Sequence, residues 1–299
     1  MRSLLVQIRR EIWEHRALWI VPLVVGALLL SSVAVFGRVE LNLNDQTRGA
    51  AARAPAQALL QLLLLGWSTP FCLAAVILSS IYLLDCLYGE RRDRSILFWK
   101  SLPVSDTSTV LVKFLVGIAL VPLGSFLLSA ATSLLASPVL LLRARLHFDD
   151  GVDIWNLGYW LHVQGLMLYG LLAALLWYAP YAAYLMLASA WARHLPSAWA
   201  FIPPLLLVVL ERVLFGTHYV GQVLQRGPAA LLQLAFQGGE DVAPGPAGGA
   251  APVPLGTRLV DSKPDPLHLF GSAQLWLGLL AAAALLALAI RIRRYRDDS

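Results

Sequence analysis

The chain has 299 residues, 58% of them hydrophobic and only 14% charged, with a net charge of +5 and a mean hydropathy of +0.67. An ordinary soluble domain carries about 25% charged residues, so this composition fits one poorly and makes a membrane protein the first expectation. No outer region approaches the roughly 100 residues of an independent domain, so residues 1–299 are read as a single membrane bundle.

The leader, RSLLVQIRREIWEHR, sets Leu5, Ile8 and Ile12 on one helical face with Gln7, Arg10 and Glu14 opposite, which predicts an amphipathic interfacial helix. The alternative is an extension of the first span that carries orientation charges. A nearly charge-free run follows at 17–36 and predicts the first span. A cleaved secretory signal is the rival reading, but the basic leader is 16 residues long, the run is 20, and no A-x-A site follows.

Residues 59–84 run 26 positions with no ionisable side chain except the thiol of Cys72, longer than the roughly 20 a helix needs to cross the hydrocarbon core. Cys72 and Cys86 lie 14 residues apart on what reads as one helix, about 21 Å, so a disulfide between them is excluded by geometry. Further spans are predicted at 114–142, 163–192, 198–215 and 273–290, giving six. Prolines 22, 70, 122, 138, 180, 203 and 204 fall within these spans, and kinks are expected there.

Between the third and fourth spans, Asp149, Asp150 and Asp153 read as a solvated acidic loop, with cation collection as the alternative. The fourth span carries Trp177, Tyr181, Tyr184 and Trp191 on one face, either an aromatic packing stripe or a substrate-lining face. Deep in the fifth span stand Glu211 and Arg212. An ionisable group there is a functional suspect by default, because insertion costs about 2.5 to 3.5 kcal/mol. The other reading puts both close enough to the outer interface to reach water or a neighbouring helix.

The segment between the fifth and sixth spans divides in two. Residues 216–237 are apolar enough for one or two short helices at the outer interface, and 238–256, rich in Gly, Pro and Ala, read as a flexible outer linker.

Orientation follows from Lys and Arg. With both termini inside, the inner segments 1–16, 85–113, 193–197 and 291–299 carry 14 of them in 59 positions, and the outer segments 8 in 99. That is the positive-inside pattern. The basic balance is therefore read as a topology signal, and no nucleic-acid partner is expected.

Chemistry is sparse. The six histidines, His15, His147, His162, His194, His218 and His268, are scattered, and neither H-E-x-x-H nor G-x-S-x-G occurs. The three lysines, Lys100, Lys113 and Lys263, follow Trp99, Val112 and Ser262, so no Walker A loop is present and no metal or cofactor is expected on this chain.

The inner loop is the most informative segment. After Gly89 come Glu90, Arg91, Arg92, Asp93 and Arg94, then the apolar run Ile96, Leu97, Phe98 and Trp99. Leu102, Pro103 and the candidate caps Ser105 and Asp106 then open the third span. Four large apolar residues in a row on a cytoplasmic helix need either lipid or another protein's groove.

On Glu90 to Arg94 and Leu102 to Ser105 the chain resembles the ABC type-2 permease family, the six-helix membrane subunits of ATP-binding-cassette exporters. It departs at Ser95 and Ile96, where many relatives carry Gly-Thr. The layout of leader, six spans, inner loop, outer re-entrant segment and basic tail is similar throughout. The resemblance implies an all-α polytopic fold in a bacterial cytoplasmic membrane, a partner ATPase holding ATP and Mg, and a second permease copy or a related permease. It also implies a coupling helix formed by the inner loop, and a cavity made mainly by the second and fifth spans. In this chain those faces include Gln61, Ser68, Thr69, Ser79 and Ser80, with Glu211 on the fifth span and Pro203 nearby. An intramembrane enzyme using Glu211 and a non-transporting anchor for partner proteins are the alternatives.

In a background lacking Cys72 and Cys86, an impermeant thiol reagent applied outside is expected to modify a cysteine placed at Ala247 and to spare one at Ser95. The reverse pattern of labelling would overturn this topology.

Overall fold

A computed structural model describes residues 2–35, 56–93, 105–145, 157–216, 231, 234–236 and 263–295. The elements are α1 (Arg2–Glu14), α2 (Ala17–Val35), α3 (Ala56–Asp85), α4 (Tyr88–Arg92), α5 (Asp106–Leu115), a π-helical turn (Val116–Leu120) and α6 (Val121–Arg145). They continue with α7 (Leu157–Trp191), α8 (Pro196–Leu210), a second π turn (Glu211–Phe215), α9 (Pro266–Gly271) and α10 (Ala273–Tyr295). Among the described residues the only β contact is a single bridge between Phe236 and Pro264.

Five helical stretches are long and apolar enough to cross a membrane: Leu63–Arg92, Asp106–Ser137, Leu157–Trp191, Pro196–Leu214 and Ala273–Tyr295. A sixth is present if Val6–Glu14 and Ala17–Val33, bent by 62° at their junction, count as one span. These helices outrun the charge-free stretches. The third starts at Asp106 rather than 114, about two turns earlier, and so takes Lys113 into the helix. Ser105 caps it as the sequence predicts, its Oγ accepting from the Ser108 N–H at 3.2 Å.

Lipid supplies no hydrophobic drive for one span to find another, so close packing and polar contacts must hold the bundle. The most extensive pairing is that of α7 with α10, and buried alanines of both, Ala179, Ala182, Ala183 and Ala190 on α7 and Ala282 and Ala289 on α10, belong to one core cluster. Small side chains at these positions let the backbones approach. α3 packs on α6 and α7, α2 on α6 and α3, and α8 touches α7 and α3. Most of α8 is exposed, with Phe201, Leu205, Leu207 and Leu210 facing outward, as a lipid-contacting helix would be.

Helical geometry runs through Pro22, Pro70, Pro180, Pro203 and Pro204 and changes type only beside Pro122. A proline there has no N–H for the carbonyl four residues earlier and its ring crowds that carbonyl. The wider π turn at Val116–Leu120 relieves the clash. Gly117 lies in that turn against α3: a Cβ there would sit 2.6 Å from Leu83 Cδ2 and 2.8 Å from Leu83 Cγ.

At the opposite end of the bundle, Ala235 O accepts from both Tyr169 Oη at 2.9 Å and the Asp265 N–H at 2.9 Å. Phe236 meets the Tyr169 ring edge-on, centroids 5.4 Å apart. The piece of the 216–237 segment that is described therefore docks on α7; the linker 238–256 lies outside the described residues.

Because Leu83 is fully buried and has nowhere to move, Gly117→Val should lower stability by about 1 to 3 kcal/mol. Gly165→Ala, with nothing within 4 Å of its Cβ, should change little. Thermal unfolding of the purified variants in detergent checks both.

Candidate functional site

Three acids and three bases from four separate elements meet at one end of the bundle. Lys113 on α5 is 1% exposed, and its Nζ lies 2.8 Å from Glu11 Oε1 on α1 and 3.2 Å from Glu90 Oε1 on α4. Arg293, near the end of α10, donates from Nη1 to Glu90 Oε2 at 2.7 Å and from Nε to Asp106 Oδ1 at 3.1 Å. Arg10 Nη2 stands 3.9 Å from Glu90 Oε1 at the rim. The Tyr82 hydroxyl donates to Glu11 Oε2 at 2.8 Å, and the His15 ring packs edge-on against Tyr82.

A charge taken out of water is tolerated only when paired and hydrogen-bonded. Here each buried charge has its counterpart: Glu11, Glu90 and Asp106 against Lys113, Arg293 and Arg10. The signs balance, and the six residues come from four stretches of chain, Arg10 and Glu11 sharing α1 and Asp106 and Lys113 sharing α5. The cluster is therefore a tertiary fastening rather than a local helix pair.

A second fastening holds the same turn from the other side. Arg91 Nη2 donates to Ser189 O at 2.6 Å and to Ala192 O at 2.9 Å, capping the free carbonyls at the end of α7. Ser189 Oγ accepts from the N–H groups of Leu87 at 3.2 Å and Tyr88 at 3.0 Å. The turn from Cys86 to Asp93 is thus tied to α1, α5, α7 and α10. Its exposed edge is Arg92 paired with Asp93, Nε to Oδ1 at 3.1 Å.

Of the loop residues singled out in the sequence, Glu90 and Arg91 point into the bundle, and Arg92 and Asp93 face out. Arg94, Ile96, Leu97, Phe98, Trp99, Leu102 and Pro103 lie outside the described residues, as do Asp149, Asp150 and Asp153. Both edges of the 94–104 segment, at Asp93 and Ser105, adjoin the charge cluster.

The suspected pathway residues separate. Ser68 accepts a hydrogen bond from Ser129 Oγ at 3.1 Å and lies against Met167, and Ser79 is buried. Ser80 meets the Tyr178 hydroxyl at 3.0 Å, while Thr69 opens away and returns its hydroxyl to Leu65 O. The side chain of Gln61 lies outside the described residues. Tyr181 is 39% exposed and stacks on Tyr178, and Tyr184 donates to Trp199 O on α8 at 3.1 Å. Trp177 instead packs with the cluster around Phe236, and Trp191 is exposed, so the aromatic stripe serves several surfaces. Glu211 begins the second π turn, half-buried, with Arg212 exposed beside it.

Two features were missed by reading the sequence. Glu11, Lys113 and Arg293 form the charge cluster, and Ser125, Ser129, Ser133 and Ser137 form a buried stripe at four-residue spacing on α6. The stripe faces Ser68 and Trp160, whose indole donates to Ser133 Oγ at 3.3 Å. Gln164, one turn from Trp160, is buried with no hydrogen-bond partner among the described residues.

Ligand atoms of Glu11, Glu14 and His15 come within 4.8 Å of one another. Glu11 already serves Lys113 and Tyr82, and Glu14 holds Arg10 at 2.8 Å, so these carboxylates are spent on the protein's own cations.

Lys113→Met should leave two buried carboxylates short of a counter-ion and lower stability by about 3 to 5 kcal/mol. Combining it with Glu11→Gln should cost less than the sum of the two single changes, which a double-mutant cycle by chemical denaturation measures.

No protein-family model, curated protein or solved structure matches this chain.

Proposed function

We propose that this chain is the membrane-spanning permease subunit of an ABC exporter of the type-2 kind. It would have six spans, the first beginning at Ala17 after the leader helix, and both termini in the cytoplasm of a bacterial cell. In this reading it holds no nucleotide site, and ATP and Mg belong to a separate ATPase subunit. It works with a second permease copy or a related one, and it moves a hydrophobic or amphipathic substrate, such as a lipid, peptide or drug, by alternating access.

The observation that carries the reading is the inner loop. Its charged run and its Leu-Pro-Val-Ser turn match the family, and both of its described edges are bolted to the bundle. A coupling element must pass force from a soluble motor to the spans, and a loop hung from flexible ends would dissipate it. Here Glu90 and Arg91 on one edge, and Asp106 and Lys113 on the other, connect to α1, α7 and α10 through the contacts already described. A push on the loop would therefore reach four helices at once, which suits a switch between two discrete packings.

The rim has a separate role. Arg92 and Asp93 are exposed and suited to orienting a charged partner, whereas Phe98 and Trp99 have the size to anchor it.

Phe98→Ala combined with Trp99→Ala is expected to leave the permease inserted and assembled, yet to abolish co-purification of a co-expressed ATPase or uncouple hydrolysis from export. Each large anchor lost should cost about 2 kcal/mol or more. Reversing Arg92 should weaken docking in a salt-dependent way without eliminating it. Normal docking and coupling by the double variant would remove the main support for the exporter reading.

A further inference from the structure

The first helix turns the face that its apolar pattern advertises into the bundle rather than onto lipid. Ile8 packs against the core and Glu11 enters the charge cluster, so this side of α1 is turned into the bundle. What remains outward is a different stripe: Val6 at 68% exposure, Arg9, Trp13 at 61% and Arg16. At 100° per residue Val6, Arg9 and Trp13 fall within an arc of about 60°, and Arg16 stands exposed in the turn just beyond them.

Three observations say what covers that stripe. Arg9 and Arg16 are exposed and have no carboxylate partner among the described residues, and the Arg9 guanidinium lies over the Trp13 ring at 5.9 Å. Backbone hydrogen bonds bridge the two-residue turn at the junction, with Ile20 N–H bonded to Arg16 O at 3.0 Å. The stripe therefore leads directly into Ile20, Leu23, Val24 and Leu28, the exposed apolar side of α2. Finally, the 62° bend turns α1 well away from the axis of α2, toward the plane of the bilayer if α2 crosses it.

A tryptophan flanked by arginines, set where an apolar helix surface ends, matches the chemistry of the headgroup layer: the ring sits in the interface and the guanidinium groups reach phosphate oxygens. We infer that the outward face of α1 is a binding surface for anionic phospholipid headgroups, with Arg9 and Arg16 as the phosphate contacts and Trp13 as the interfacial anchor. The surface commits to lipid rather than to an acidic protein because it is continuous with the lipid-facing side of a spanning helix. Neither arginine takes part in the charge cluster, so removing them should leave the fold in place.

The test uses the full chain in neutral detergent, titrated with phosphatidylglycerol or phosphatidylcholine of matched acyl chains, with bound lipid counted by native mass spectrometry. The wild type should prefer phosphatidylglycerol. Each arginine changed to Gln should weaken phosphatidylglycerol binding roughly five-fold, and both together roughly 25-fold, with phosphatidylcholine unaffected. Arg9→Lys with Arg16→Lys should retain the preference, because the charge persists, and Arg212→Gln should leave it intact. A wild type indifferent to headgroup charge overturns the proposal, as does a double Gln variant that keeps the preference. Binding of polyglutamate at the same arginines without lipid preference would also overturn it and mark the face as a protein-docking surface.

Discussion

An ammonium group sealed from water must have its counter-charge delivered to it, and in this protein that requirement falls on Lys113. The lysine is 1% exposed and its neighbours on α5, Val110 and Val112, are themselves buried. The counter-charges come from α1 and from the turn after α3, and Glu90 in turn requires Arg293 from the last span. One lysine thus fixes where three other parts of the chain must go. Hydrophobic segments in lipid have little reason to choose one neighbour over another, and this cluster supplies a reason at the end of the bundle where several of them converge.

The same geometry gives the turn at Cys86–Asp93 two unlike attachments. Toward α5 and α10 it is held by ion pairs, which are strong only while buried. Toward α7 it is held by hydrogen bonds to helix-end carbonyls, which persist with some exposure.

The spans were legible in the sequence because composition and length decide them, and Ser105 was legible because a cap has a local signature. The extent of the helices was not. Lys113 looks like the end of an inner loop when charge is taken as a boundary, yet a paired charge need not end a helix. Glu11 carried a readable signal, since it stands on the same side of α1 as Ile8 and Ile12. An acid on an apolar face asks for a buried base, but nothing local says that the base is 102 positions away. Arg293 sits in a run of arginines that reads as an orientation signal, and only tertiary contact separates it from its neighbours. The serine stripe on α6 was hidden for another reason: small hydroxyls at four-residue spacing do not lower the hydropathy enough to stand out.

The π turn at Val116–Leu120 bears on how this chain tolerates changes in length. Such a turn holds one residue more than the α-helical turn it replaces, and one residue is about 100° of rotation. The lower part of the third span must aim Lys113 and Asp106 at the charge cluster, and the upper part must aim Ser125, Ser129 and Ser133 at the second and fourth spans. The wider turn takes up the extra residue locally, so the two halves keep the phase that an unbroken α-helix one residue shorter would give them. Removing one residue from the turn would leave both halves facing their partners, whereas an insertion or deletion in the regular helix on either side would turn one half about 100° away from its contacts.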